Sequence, residues 1–314
     1  MIKNMRTKDL IKLLPVTIAK EIETSEINFK TIQEIRVKIE KPIIIEDDMG
    51  EHMLSYNVTR DDMKVLTQRI SNYSIYAFEE ELKQGYITIE GGHRIGISGD
   101  CVIKDGSVKT IKNIYSLNMR ISREIIGCGL KYIPYIISKG KILNTIIISP
   151  PKCGKTTILR DLARIISNGD KNLNLNGKKV SIIDERSEIA GCYKGVPQLD
   201  VGLRTDIYDN CIKSEGIIMA IRALSPEVVI CDEIGKSVDI ESLVQALNSG
   251  VNVITTIHGF SLQDLFNRPV FKELIDNNVF KRALILSNRT GVGTIESIWN
   301  LETMKDLWKG ESHD

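Results

Sequence analysis

The sequence is poor in several things, and each shortage excludes something. No apolar run approaches the roughly 18 residues that a membrane-spanning helix needs, so none is expected. The amino terminus, MIKNMRTKDL, has basic residues but neither an apolar core nor a cleavage site, and does not read as a signal peptide. Net charge is only +1, and aromatics are 5% of the chain. Without a basic stripe interleaved with aromatics, nucleic acid is not an expected partner, and neither is an anionic membrane surface. Six cysteines stand singly at 101, 128, 153, 192, 211 and 231, with no C-x-x-C. They read as reduced cytosolic thiols rather than a disulfide frame or a zinc site. The four histidines are also scattered, so a metal site made of protein ligands alone is not expected. No internal repeat or low-complexity tract is present.

What remains is an ordinary globular mix, 42% apolar and 26% charged, in 314 residues. That length suits two domains. Residues 8–22 carry apolar positions at helical spacing, with Pro15 placed to break them into two pieces. Residues 32–46 read as two strands joined at Lys41-Pro42. Thr59 caps a helix with an acidic first turn, running to about Ile70. Ser74 opens another through Ala77, Phe78 and Leu82, stopped by Gly85. From Tyr86 the apolar period becomes two, with turns at Glu90–His93 and at Lys104-Asp105-Gly106 and a further strand over 114–124. Residues 1–128 are therefore expected to form an α+β domain with an antiparallel sheet. Gly127-Cys128-Gly129 is the linker, short enough that the two domains should touch. Residues 129–314 alternate helix and strand: helix 130–139, strand 144–148, a helix from 158, strand 179–184, helix 211–223, strand 228–231, helix 237–248 and strand 251–256. A hairpin over 281–287 and 294–300 closes the pattern, and the last residues are polar and expected to fray. Alternation of this kind predicts an α/β domain, a parallel sheet covered by helices on both faces.

The second domain is organised around Asn144–Thr157, NTIIISPPKCGKTT. A β-branched run, a loop and the start of a helix give a phosphate-binding P-loop in its proper setting. The loop Pro151–Thr157 cradles phosphate oxygens at the positive end of a helix, with the backbone N–H groups of Lys152, Cys153, Gly154, Lys155, Thr156 and Thr157 as donors. Lys155 is a point charge for the β and γ phosphates, and the Thr156 hydroxyl is a Mg²⁺ ligand. The expected ligands are thus ATP and Mg²⁺. Ser149 stands where the pattern has its first Gly, which predicts either ordinary backbone or a tighter, mildly strained start to the loop. Cys153 lies within the loop, where Lys155 and the helix terminus would favour its thiolate and make it sensitive to oxidation or alkylation.

Three other strand ends carry candidate chemistry. Val228–Glu233 is an apolar strand ending in two carboxylates about 80 residues downstream of the loop. It is expected beside the P-loop strand, with Asp232 reaching Mg²⁺ through water and Glu233 polarising the attacking water. His258, at the end of TTIH, is a candidate sensor of the γ-phosphate. Glu185 and Glu188, in DERSE after another strand, are candidates for orienting water, since ligands of open α/β sheets lie at carboxyl ends of strands. The transition state spreads charge over the γ-phosphate, so arginines from a neighbouring subunit or domain matter. Arg94, Arg120, Arg123, Arg186, Arg204 and Arg222 are the candidates, and the sequence does not choose among them.

On these motifs the chain resembles the stage III sporulation protein AA family of endospore-forming bacteria. That family is similar to the ATPases of type II and type IV secretion and of pilus retraction. The likeness rests on GGHRIGISG (91–99), SLNMRISRE (116–124), PPKCGKTT (150–157), IIDERSEIAG (182–191), VVICDEIG (228–235) and TTIHG (255–259). Secretion ATPases have a Walker A loop, an acidic box, a Walker B strand and a histidine box, matched here by Pro151–Thr157, Asp184–Glu188, Ile230–Glu233 and Thr255–His258. Relatives often have Gly-Glu at the Walker B end. Asp232-Glu233 here favours direct engagement of Mg²⁺ by Asp232. The resemblance implies a RecA-like ATPase domain and a homo-hexameric ring with nucleotide between the stacked domains. It also implies a cytoplasmic place in the mother cell, peripheral to the membrane through embedded sporulation channel proteins. Competing readings are a nucleic-acid-acting P-loop ATPase, a non-hydrolysing nucleotide-gated scaffold, for which Ser149 is the hint, and a small-molecule kinase, against which the lack of an Arg-rich lid insertion counts.

Overall fold

The computed structural model describes residues 10–11, 13–71 and 79–308. The expected helix positions Ser74, Ala77 and Phe78, the first residues of the expected 8–22 helix and the polar end 309–314 lie outside them. The chain divides into two compact units, residues 1–123 with 191–199, and residues 124–190 with 200–314. The division falls at 123/124 rather than at 128/129, and nine residues from deep in the second half return to the first unit.

In the first unit, β1 (Glu34–Lys38), β2 (Pro42–Asp47), β3 (Gly50–Asn57), β4 (Tyr86–Ile89), β5 (His93–Lys104) and β6 (Ser107–Arg120) form one antiparallel sheet. Its order is β3-β2-β1-β6-β5-β4. Alternation drives it: Ile35 and Val37 of β1 and Ile43 and Ile45 of β2 are all buried on one face. The helices Val16–Thr24 and Arg60–Ile70 close over that face with Ile18, Ile22, Met63 and Leu66. The first starts just after Pro15, as the sequence implies. The second opens on a capping box, with Thr59 Oγ1 accepting from the Asp62 N–H at 3.1 Å and the Asp62 carboxylate accepting from the Thr59 N–H at 2.9 Å. The segments expected on either side of Asn113 are one strand, β6, which passes through a left-handed Asn113 without ending. The returning residues 191–199 are seated by a buried bond from the Gly91 N–H to Gln198 Oε1 at 3.0 Å. Gly92 and Gly191, both at positive φ, meet so closely that a Cβ on Gly92 would lie 3.1 Å from the Gly191 carbonyl oxygen.

The second unit begins with a four-residue helix, Ile133–Ile136, not the expected helix 130–139. Pro134 tolerates only the first turn of a helix, and Gly140 turns the chain between β7 (Ile137–Ser138) and β8 (Lys141–Ile142), a small hairpin. The strands that follow are β9 (Thr145–Ser149), the pair β10 (Gly169–Asp170) and β11 (Leu175–Asn176), β12 (Val180–Asp184), β13 (Thr205–Asp209), β14 (Val228–Cys231), β15 (Asn252–His258), β16 (Arg282–Ser287), β17 (Thr294–Asn300) and β18 (Lys305–Asp306). The main sheet runs β13-β12-β14-β15-β9-β16-β17-β18, parallel as far as β16 and antiparallel at the closing hairpin. Every residue of β9, β12 and β14 is buried, which is why they read as unbroken apolar runs. Ile146 and Ile148 face a layer made by the helices Lys213–Ala223 and Ser237–Asn248. Alternation sends Ile147 to the other face, where the P-loop helix, Lys155–Asn168, packs across β12, β14 and β15. One expectation is corrected here. The Walker B strand β14 is not beside the P-loop strand, because β15 lies between them. Spacing along a chain does not set lateral order in a parallel sheet, since each crossover can skip a place.

Candidate functional site

The carboxyl ends of β9, β12, β14 and β15 bring the candidate residues together. The P-loop turns through left-handed conformations at Lys152 (φ 60°) and Gly154 (φ 79°). A Cβ on Gly154 would lie 2.6 Å from the Val292 side chain, so glycine is required there on both counts. Ser149 ends β9, is fully buried and is not among the residues with positive φ. It takes ordinary extended backbone, and replacing the first Gly introduces no strain.

Lys155 opens the P-loop helix and folds back over its own loop. Its ammonium donates to the carbonyl oxygens of Ser149 (2.9 Å) and Pro150 (2.8 Å). It also lies 3.1 Å from His258 Nδ1. Partial burial pulls its pKa below the usual lysine value, against the attraction of Cys153 and Glu233. An ammonium has only protons to offer, so Nδ1 of His258 accepts and Nε2 carries the ring hydrogen. Nε2 lies 3.2 Å from Glu233 Oε1. A polar line thus joins the P-loop lysine to the Walker B glutamate through the histidine. Arg186 extends it, 3.8 Å from the other Glu233 oxygen, but both groups are well exposed and the pairing is weak.

Glu233 sits in unusual backbone, at φ 23°, where non-glycine residues are rare. Its N–H is held by Thr256 Oγ1 at 2.9 Å, and the next N–H, of Ile234, by the Thr256 carbonyl at 3.0 Å. Buried Thr256 on β15 therefore fixes the turn after β14. Nothing in the sequence singled it out beyond its place in TTIH.

Asp232 points inward with a side chain only 10% exposed, and its Oδ1 is buried without a hydrogen bond. The ammonium of Lys213 stands 3.5 Å from that oxygen and also binds the Glu185 carboxylate. Burial raises the Asp232 pKa, opposed by Lys213 and reinforced by the nearby Glu188 carboxylate. Burial alone would lower the Lys213 pKa, but Asp232 and Glu185 outweigh it and the net shift is upward, so the lysine is charged. Sequence reasoning missed Lys213. A basic residue in the first turn of a helix conflicts with the helix dipole, and that conflict was the available signal.

The acidic box is held by its own first residue. Asp184 ends β12 fully buried and accepts from the N–H groups of Glu188, Ile189 and Ala190, each at 2.9 Å. Burial outweighs those bonds and pushes its pKa up to about 7. Arg160, a buried arginine of the P-loop helix, donates to the carbonyls of Ile189 and Glu188. Ser187 donates to Asp209 at 2.6 Å. These ties leave the Glu185 and Glu188 side chains on the Asp232 side.

The other candidates fall elsewhere. Cys153 is buried, so the expected sensitivity to alkylation loses its physical basis. Arg204 donates to the Ser167 carbonyl, and Arg222 is exposed in the last turn of its helix. Arg94, Arg120 and Arg123 belong to the first unit. There Arg94 lies 3.5 Å over the Tyr86 ring, Arg123 donates to Asp48, and Arg120 is exposed at the end of β6.

Comparison with known proteins gives this arrangement its setting. The family described as sporulation stage III, protein AA matches residues 4–305. The chain belongs to this family. It is 44% identical over 293 residues to the stage III sporulation protein AA of Bacillus subtilis (strain 168), covering 93% of this chain and 94% of that one. Among solved structures, the Legionella pneumophila ATPase DotB superposes with a TM-score of 0.57 at 13% identity, over 86% of this chain and 77% of its own. The pilus retraction motor PilT with bound ADP gives 0.56 at 15% identity, over 90% and 80%. The sporulation family thus shares the RecA-like P-loop fold of these ATPases, carried on a parallel sheet and accompanied by an antiparallel α+β unit. Among the described residues, no helix is long and apolar enough to cross a membrane.

Proposed function

We propose that the chain is a Mg²⁺-dependent ATPase that drives a secretion-like channel in endospore formation, as a homo-hexameric ring in the mother-cell cytoplasm held to the membrane by channel proteins. The observation that carries this reading is the line Lys155–His258–Glu233 beside a buried, unsatisfied Asp232 oxygen, all at the carboxyl ends of parallel strands. A buried carboxylate oxygen without a hydrogen bond suits a divalent cation, so Asp232 and Thr156 fit as the residues that would hold Mg²⁺. Bound Mg²⁺ supplies charge neutralisation across the β and γ phosphates.

The protein's own groups do the rest. Lys155 exchanges the Ser149 and Pro150 carbonyls for phosphate oxygens, a trade of dipoles for full charges that favours the nucleotide. Its departure frees His258 Nδ1, while Nε2–H continues to orient Glu233. Glu233 accepts a hydrogen bond from the attacking water and receives its proton. Glu185 and Glu188 support that water network from the acidic box. Arg186 is the arginine this unit brings to Glu233, and Arg94, Arg120, Arg123, Arg204 and Arg222 stay candidates for action across a ring interface.

The unstrained Ser149 removes the reason for reading the chain as a non-hydrolysing scaffold, and its near-neutral charge weighs against a nucleic-acid motor. The test is steady-state ATP turnover per subunit across protein concentration, with Lys155→Ala and Glu233→Gln beside the wild type. Turnover that rises with concentration, nucleotide binding lost in Lys155→Ala, and binding retained without turnover in Glu233→Gln are expected. Turnover unaffected by Glu233→Gln would overturn the assignment. Flat turnover would remove the shared-site ring.

A further inference from the structure

The Lys213 side chain is 7% exposed, with its Nζ set between the carboxylates of Glu185 and Asp232. It reaches them from the first turn of its helix, where the dipole disfavours a positive charge. The two carboxylates, not the helix, hold the charge there. Its distance to Asp232 Oδ1, 3.5 Å, is long for a hydrogen bond, and that oxygen has no other partner. The ammonium is hydrogen-bonded to Glu185 and held by the charge of Asp232 at the longer distance. It can therefore leave Asp232 without losing its own counter-charge.

We propose that Lys213 is the resident cation of the Asp232 site: it neutralises Asp232 in the nucleotide-free chain, excludes a free divalent ion, and withdraws onto Glu185 when Mg²⁺ arrives with nucleotide. The inference rests on the reading of Asp232 as a metal-holding residue. Lys213 is a positioning residue here and touches neither substrate nor the reacting atoms. Its consequence is ordered loading. An ammonium and a dication repel at this range, so metal alone is kept out. Only the added negative charge of the phosphates makes the exchange favourable. Without a resident cation, the unbonded Asp232 oxygen, in the field of the nearby Glu188 carboxylate, would attract a divalent ion between turnovers.

The experiment is Mn²⁺ binding to the nucleotide-free full chain, read as loss of the free-ion electron paramagnetic resonance signal. Wild type is expected to bind Mn²⁺ weakly. Lys213→Met, which keeps an unbranched side chain one atom shorter and removes the charge, is expected to bind it about tenfold more tightly or better. Adding Asp232→Asn to that variant should abolish the gain, and Lys213→Arg should behave as wild type. A thermal melt covers the case of a poorly folding variant: Mg²⁺ should raise the melting temperature of Lys213→Met, or of Lys213→Gln, and leave wild type unmoved. Mn²⁺ binding that is equal in wild type and variant, or a gain that survives Asp232→Asn, overturns the proposal. Titration with ATP separates the two readings. A Lys213→Met chain that binds ATP with Mg²⁺ but gains no affinity for the metal alone rejects the resident cation and leaves the ATPase assignment standing.

Discussion

Asp184 offers the sharpest test of the forces inside this site. It is buried at the end of β12 and accepts three backbone hydrogen bonds, so two effects oppose each other. The bonds favour the anion, and burial favours the neutral acid. Burial prevails, raising the pKa from 3.8 to about 7. A raised carboxyl pKa stabilises the fold below its unfolded value and loses that contribution as pH rises through the folded one. The whole shift is worth about 4 kcal/mol, present at pH 4 and gone by about pH 8. Between pH 5 and pH 8 the loss is about 3 kcal/mol. Asp184→Asn has no proton to exchange, and its amide turns an N–H toward one of the three backbone donors. It is therefore expected to be less stable than wild type at pH 5 by about 1–3 kcal/mol. The gap should then shrink by about 3 kcal/mol on going to pH 8. Urea midpoints across that range measure it. Both tryptophans, Trp299 and Trp308, lie in the second unit, so their fluorescence reports the unit that holds Asp184. A gap that stays constant with pH, or widens, would refute the reasoning and show that three N–H donors hold the carboxylate charged.

Gly154→Ala combines a disfavoured φ with a 2.6 Å approach to Val292. It should lose nucleotide affinity by tenfold or more in a fluorescent-ADP titration, on the order of 1–2 kcal/mol, and Val292→Ala should restore only part of it. Thr256→Val keeps shape but removes the acceptor of the Glu233 N–H. A stability loss of about 1–2 kcal/mol in chemical denaturation is expected, with a larger fractional fall in turnover than in nucleotide binding. Cys101 is exposed, whereas burial pushes Cys128 up to about 11 and Cys231 up to about 12. Cys153 and Cys192 are buried, and burial with the Glu215 and Glu185 charges raises the pKa of half-exposed Cys211, so a disulfide reagent at pH 8 should find Cys101 first, and Cys101→Ser should abolish the fastest phase.

The legible parts of this fold were those where burial is most complete. β9, β12, β14 and β15 lie inside a sheet covered on both faces, so each announces itself as a β-branched run, and each ends on polar residues that become the site. β13 was not legible. It is an edge strand reading TDIYD with no buried residue, paired on one side only. β3 was missed for a similar reason, since its alternation is between half-buried and exposed. Lateral order was invisible because it belongs to the crossovers. Within the site, Lys155, Asp232, Glu233 and His258 stand in motifs whose spacing follows from phosphate geometry. Lys213, Arg160 and Thr256 act through partners far along the chain, on separate elements, and local sequence gives no sign of such a meeting.

The return of residues 191–199 to the first unit also sets an order of manufacture. The ribosome delivers Gly91 long before Gln198, which accepts its buried N–H. About 75 residues separate the end of the first stretch, Arg123, from that acceptor, on the order of ten seconds of synthesis. Throughout that interval the turn between β4 and β5 waits without its Gln198 acceptor, while the P-loop and the acidic box emerge. A fragment ending at Arg123 would stay in that unfinished condition permanently.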